Sequence, residues 1–236
     1  MACLPEGQYG ITNAAIVASN MKRSFGSIQF GFMVGIGGGA PGDIDIRLGD
    51  VVVGTHVFQH DFGKIEAGDK FRSTGTKRLP PQILLNAISK LRAGHERSPS
   101  LIPWILDDMF KRCQGLKQKG YGYPVRSDDQ LFYARYDHPT AKPDCSECSS
   151  SEVRCRKPRA TKDPHIHYGG IASGNQVIKS GRMRDKLAKE HDVLCFEMEG
   201  IGLADAFPCM VVRGICDYSD SHKNKKWQSG TKVSGS

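Results

Sequence analysis

Apolar and polar positions along the chain follow two periods. Residues 12–25 (TNAAIVASNMKRSF) carry apolar side chains at helical spacing and run into Gly26, which predicts a helix packed on a sheet. Residues 28–34 (IQFGFMV) are a short apolar run, the pattern of a buried strand, and lead directly into the glycine-rich stretch GIGGGAPGD. Residues 48–58 are rich in valine and predict the next strand. Residues 81–95 open on proline, keep helical apolar spacing and close near Gly94, which predicts a second helix, and 103–116 predict a third. From 117 to 164 the pattern dissolves into Gly, Pro, Asp, Cys and Lys, too poor in apolar residues for a core, so this stretch is expected to be an irregular insertion. Periodicity resumes with a strand over 165–172, a charged helix over 181–190, a strand over 193–196, a helix over 198–206 and a strand over 208–215. Alternating strands and helices predict one α/β layered domain over 1–228, with 229–236 (SGTKVSGS) as a flexible tail.

Composition narrows the class. The chain has 236 residues, 39% of them hydrophobic, enough to bury the core of one large α/β domain. No apolar run approaches the roughly 18 residues needed to span a bilayer, and MACLPEGQYG lacks the basic and apolar regions of a secretory signal. A cytoplasmic protein with no membrane partner is expected. The formal charge is +8, with basic residues gathered at 154–162 (RCRKPRATK) and 222–227 (HKNKKW). Such runs attract nucleic acid or phosphorylated small molecules, or are simply solvated loops. No helix-turn-helix signature or aromatic-studded RNA-binding strand accompanies them, so no nucleic-acid partner is expected.

Among the eight cysteines, Cys195, Cys209 and Cys216 lie in or beside apolar runs and read as core residues. Cys145, Cys148 and Cys155 form a CxxC with one more thiol, followed by His165 and His167. Their spacing matches no standard zinc finger; reduced thiols in a loop and a zinc site both stay open, and no metal is assigned.

Three stretches carry candidate chemistry. In VGIGGG, the glycines Gly35, Gly37 and Gly38 follow a strand, where they would let the backbone approach a ligand. A dinucleotide fingerprint would require a helix to start at once; Pro41, Gly42 and Asp43 follow instead. A structural glycine turn and a loop cradling a sugar or base remain. In CFEMEG, Glu197 and Glu199 sit between apolar runs, where a helix is expected to begin. They are either solvated acids at a helix N-terminus or, for one of them, an inward carboxylate able to grip two neighbouring hydroxyls. Asp217 follows the strand 208–215 at its C-terminal end, the edge of an α/β sheet that usually faces ligands; it can cap a turn or act as a general acid. In HIHYGGIASGNQVI, a strand ends near Ser173, and Val177 and Ile178 offer an apolar wall for a planar base or form an ordinary turn.

Together, VGIGGG with LGDVVV, IASGNQVI, CFEMEG and RGICDYSDSHKNKKWQ resemble the nucleoside phosphorylase and nucleosidase superfamily, of the purine-nucleoside and uridine phosphorylase type. The likeness is to its fungal branch, often the front domain of larger receptor-like proteins. The resemblance implies a three-layer αβα sandwich with a mixed central sheet. It implies that Glu199 grips the ribose hydroxyls, Met198 packs beneath the sugar and Asp217 protonates or hydrogen-bonds N7 of a departing purine. It places Val177 and Ile178 at the base, and the loop carrying Gly35, Gly37 and Gly38 at base and ribose. Glu197 is expected in a structural ion pair. No cofactor is implied, and a homo-oligomer is compatible with the family.

Phosphorylases of this superfamily place an arginine on the strand before the glycine loop and a hydroxyl within it. This sequence has Met33 and Ile36 there, neither able to hold a dianion, which favours water over phosphate as the acceptor. The family also opens with a further strand, which in nucleosidases supplies a glutamate that activates water, and closes with a long helix. The matching stretches begin at ACLPEG and stop after Trp227, so a domain truncated at both ends is expected. The enzyme reading therefore stands beside two others, a nucleoside-binding module without turnover and a basic nucleic-acid binder.

Overall fold

A computed structural model describes residues 1–118, 121, 129–139, 144–223 and 227–228. In chain order it forms α1 (Ile11–Ser24), β1 (Gly31–Gly39), β2 (Val51–Gln59), β3 (Gly63–Glu66), β4 (Lys70–Ser73) and β5 (Lys77–Arg78). Helices α2 (Gln82–His95), α3 (Ile102–Arg112) and α4 (Gly115–Gln118) follow. The last part comprises β6 (Ile166–Ser173), α5 (Gly181–His191), β7 (Val193–Glu197), α6 (Gly200–Ala206) and β8 (Cys209–Asp217).

The strands form one mixed sheet in the order β5-β2-β6-β7-β1-β8. β2 with β6, β6 with β7, and β1 with β8 run parallel, while β7 pairs β1 antiparallel. β2 also pairs antiparallel with β8 through Val51–Val53, which closes the sheet on itself. Strand alternation sends neighbouring residues to opposite faces. Val52, Ile171, Cys195 and Val211 pack with Ile201 of α6. Ala172, Phe196 and Val193 pack on Leu187 of α5, and Val51 and Val53 on Ile88 of α2. Helices thus cover both faces of a mixed central sheet.

The glycine stretch departs from expectation. The predicted strand 28–34 with a glycine loop after it is instead one strand, Gly31–Gly39, whose parallel register with β8 continues to Gly38↔Asp217. Lack of side chains makes this possible: a Cβ on Gly37 would lie 2.9 Å from the Phe196 carbonyl oxygen of β7. Strands β7 and β8 also run one and two residues beyond their predicted ends, to Glu197 and Asp217. The exposed β3–β4 hairpin has no counterpart in the sequence reading; its reversal uses positive φ at Gly68 and Asp69.

Within the insertion, beyond the end of α4, the described residues are irregular apart from one 3-10 turn at Ser150–Glu152 and a bridge between Phe132 and Val153. They are tied inward by buried Leu131 and Phe132. The basic run 154–162 is neither a solvated loop throughout nor an open cationic patch. Arg159 forks onto buried Asp50 at 2.7 Å through both terminal nitrogens, and Arg156 meets Asp129 at 3.0 Å and the Tyr218 hydroxyl at 2.8 Å. The tail 229–236 and residues 224–226 of the second basic run lie outside the described residues. Among the described residues no helix is long and apolar enough to cross a membrane.

Candidate active site

Three strands converge on Gly38, which is registered between Phe196 of β7 and Asp217 of β8. Next to it β8 carries an extra residue, since Gly37 pairs with Ile215 and Gly38 with Asp217. This bulge, of a kind that often re-aims side chains beside active sites, sets Cys216 against the Gly37 carbonyl and brings Asp217 to the cleft. The cleft has a volume of about 200 Å³ and is open to solvent; Gly37, Gly38, Met198, Glu199, Asp217 and Lys223 line it, with Val177 and Ile178.

The two glutamates part company. Glu197 is buried and accepts the N–H groups of Glu199 at 3.0 Å and Gly200 at 2.9 Å, so it caps the start of α6. Its other partner is the guanidinium of Arg213, itself fully enclosed. That is the basic neighbour expected for Glu197. Glu199 is held more loosely: Arg213 Nη2 and the Gly10 N–H each stand 3.4 Å from its oxygens, and 17% of its side chain is exposed toward the cleft. Burial, and next the charge of Glu197, push the Glu199 carboxyl above the ordinary carboxylate range, although Arg213 opposes them.

Asp217 is 4% exposed. One oxygen accepts the Ser219 N–H at 2.9 Å, closing a local turn, and the other lies 3.0 Å from the Lys223 ammonium and 3.3 Å from the Cys216 thiol. Lys223 belongs to a basic run read only for its charge; nothing in its spacing announced a partner six residues back. Arg213 was likewise legible only as a strand residue.

Of the remaining sequence-predicted site residues, Met198, Gly37, Gly38, Val177 and Ile178 line the cleft, and Val177 is exposed at it. Gly35 does not: its α-carbon faces Arg213 Nη1, and its missing side chain leaves room for the guanidinium. Ser173 is fully buried, and its hydroxyl accepts the Ile201 N–H at 3.1 Å, which ties β6 to α6 beneath the site. Arg47 is also elsewhere, hydrogen-bonded to Asp45 at 2.9 Å.

Outside the cleft, Asp50 gathers the Arg159 fork, His167 Nε2 at 2.8 Å and the His165 N–H at 3.0 Å. Burial raises its pKa, yet Arg159 and His167 together hold it down to about 2. His165 and His167 are therefore not with the cysteines. Cys155 is exposed, while one ligand atom from each of His138, Cys145 and Cys148 lies within 4.8 Å of the others. Burial, and next the neighbouring Cys148, push the Cys145 thiol up to about 12.

No family model matches the chain. A nucleotide-binding leucine-rich repeat (NLR)-like protein of Hyaloscypha variabilis is 44% identical over 235 residues, which are 97% of this chain and 22% of that protein. The 5'-methylthioadenosine/S-adenosylhomocysteine nucleosidase of Mycobacterium bovis is 25% identical over 88% of this chain and 66% of its own length. The Helicobacter pylori 5'-methylthioadenosine/S-adenosylhomocysteine nucleosidase, solved with butyl-thio-DADMe-Immucillin-A, superposes with a TM-score of 0.56 at 17% identity, covering 97% of this chain and 73% of that one. The chain has the nucleosidase fold. Within that fold the bulge at Cys216 and the β1–β8 register place Asp217, and the end of β7 places Glu199, at a single cleft. The chain spans about a fifth of the NLR-like relative's length.

Proposed function

We propose that this domain cleaves the N-glycosidic bond of a purine nucleoside or nucleotide, with water as the acceptor. The observation that carries this reading is the shared cleft: a half-enclosed carboxylate at Glu199, a buried carboxyl at Asp217 and an apolar wall at Val177 and Ile178. Heterolysis of the bond builds positive charge on the ribose and negative charge on the base. Glu199 grips the ribose hydroxyls and places its charge near the developing cation, over Met198. Asp217 hands a proton to the purine, the proton released when water adds to the ribose cation balances it, and the Lys223 ammonium, 3.0 Å away, stabilises the Asp217 carboxylate in between. No cofactor enters this scheme.

Water is favoured because a phosphate dianion finds few partners here. Among the described residues lining the cleft Lys223 is the one cation, and it is engaged by Asp217. Arg213 is locked on Glu197, and Met33 and Ile36 stand at the positions named above. A phosphate-dependent reaction is the alternative for the same cleft. A nucleoside-binding module without turnover is a further reading, favoured by the donors that already crowd Asp217. Eight unpaired thiols suit a reducing, cytoplasmic setting. Exposed Trp104 and Ile105 of α3 suit a homo-oligomer.

The test is release of free base from adenosine, inosine and their 5'-phosphates, with and without phosphate. Release in phosphate-free buffer is expected. Strict phosphate dependence would convert the reading to a phosphorylase, and a ligand-raised melting temperature without release would convert it to a binding module.

A further inference from the structure

We propose that His138, Cys145 and Cys148 bind a zinc ion that fastens the insertion to the segment following β8. The three residues are spaced H-x6-C-x2-C, and their ligand atoms already lie within 4.8 Å of one another. Zinc bonds of about 2.0–2.3 Å at tetrahedral angles set ligand atoms about 3.5–4 Å apart, a separation the group reaches with little movement. A turn closed by the Cys148 N–H on the Cys145 carbonyl at 3.1 Å brings the two thiols together. The His138 ring is oriented by Nε2, 3.0 Å from the Asp144 carbonyl oxygen.

The donor set decides the metal class. Two thiolates and an imidazole suit zinc, whereas calcium and magnesium take oxygen ligands. The fourth tetrahedral position falls to water or to His222. Both ring nitrogens of His222 are buried and lack a hydrogen-bond partner among the described residues, and its ring centre is 5.3 Å from that of His138.

The cluster is also attached to the cleft. The His138 N–H donates to Ser221 Oγ at 2.9 Å, and His222 stacks on Phe132 of the insertion at 3.9 Å. Ser221 and His222 lie on the short path between Asp217 and Lys223, so an ion here fixes the segment that pairs those two residues.

The experiment is metal analysis of the full chain, purified without chelator, reloaded with zinc and dialysed, followed by replacement with cobalt(II). Stoichiometric zinc is expected, with thiolate-to-cobalt charge-transfer bands and tetrahedral d–d absorption. Cys145→Ser/Cys148→Ser and His138→Ala should lose the metal and the bands, while Cys155→Ser and Cys113→Ser keep both. Substoichiometric zinc in the folded wild-type chain, or full zinc in Cys145→Ser/Cys148→Ser, would overturn the proposal. The wild-type content decides the matter even where a variant does not fold. The readout needs no substrate, so it stands or falls independently of the proposed activity.

Discussion

The Lys223 ammonium lies 3.0 Å from Asp217 Oδ2, within a cleft that Glu199 also lines. A carboxyl that gives up a proton in each turnover passes through its anion, and the Lys223 ammonium is placed to stabilise that anion. Lys223→Met should lower kcat on the order of 10²-fold with a smaller change in KM. Lys223→Arg should recover part of the loss. Equal kcat for wild type and Lys223→Met would remove Lys223 from the reaction.

Glu197 and Glu199 sit two residues apart and are expected to fail in different ways. Arg213→Met strands a buried carboxylate at Glu197 and should cost about 3–5 kcal/mol in urea unfolding. Gly35→Ala should also destabilise, because its methyl group would occupy the space of the Arg213 guanidinium. Glu199→Gln removes a strained charge, so its unfolding midpoint should hold or rise while substrate binding and turnover both fall. A Glu199→Gln protein that unfolds early yet keeps full specific activity would return this residue to a structural role.

Glu199 also sets a pH limit. It grips hydroxyls as the anion, and burial together with the Glu197 charge raises its pKa. Its ionised fraction therefore falls as pH drops through a value above the ordinary carboxylate range. The acid limb of kcat/KM should lie correspondingly high and be altered in Glu199→Gln. An acid limb at the usual carboxylate position would contradict the assignment.

Stability should respond to acid through Asp50 rather than through the cleft. Its carboxyl is held at about 2 against an ordinary 3.8. The folded state thus gains about 2 kcal/mol above the unfolded-state value, and loses it as pH falls toward the folded-state value. Urea midpoints measured between about pH 6 and pH 2.5 should decline across the lower part of that range. Asp50→Asn should start lower and decline less steeply.

Much of the fold was legible because local periodicity and burial agree: the valine-rich strand, the helices at 81–95 and 181–190, and the strand leading to Asp217 all lie close to where the pattern put them. The glycine run misled because glycine usually marks turns, whereas here it is a strand squeezed between the Phe196 carbonyl and Asp217, a constraint set by residues far along the chain. Glu199, Asp217 and Met198 were readable from flanking motifs. Lys223, Arg213 and His138 were not, since their partners are chosen by tertiary contacts. The inward turn of Arg156 and Arg159 is of the same kind: charge runs show in sequence, but the buried acids that receive them do not.

The most direct measurement pairs single-turnover base release with calorimetric binding of a non-hydrolysable purine nucleoside analogue, for wild type and Asp217→Asn. The cleft geometry calls for a fall in release of about 10²- to 10⁴-fold with affinity changed only a few-fold. Base release from Asp217→Asn at the wild-type rate would contradict the assignment of Asp217 as the acid that frees the purine.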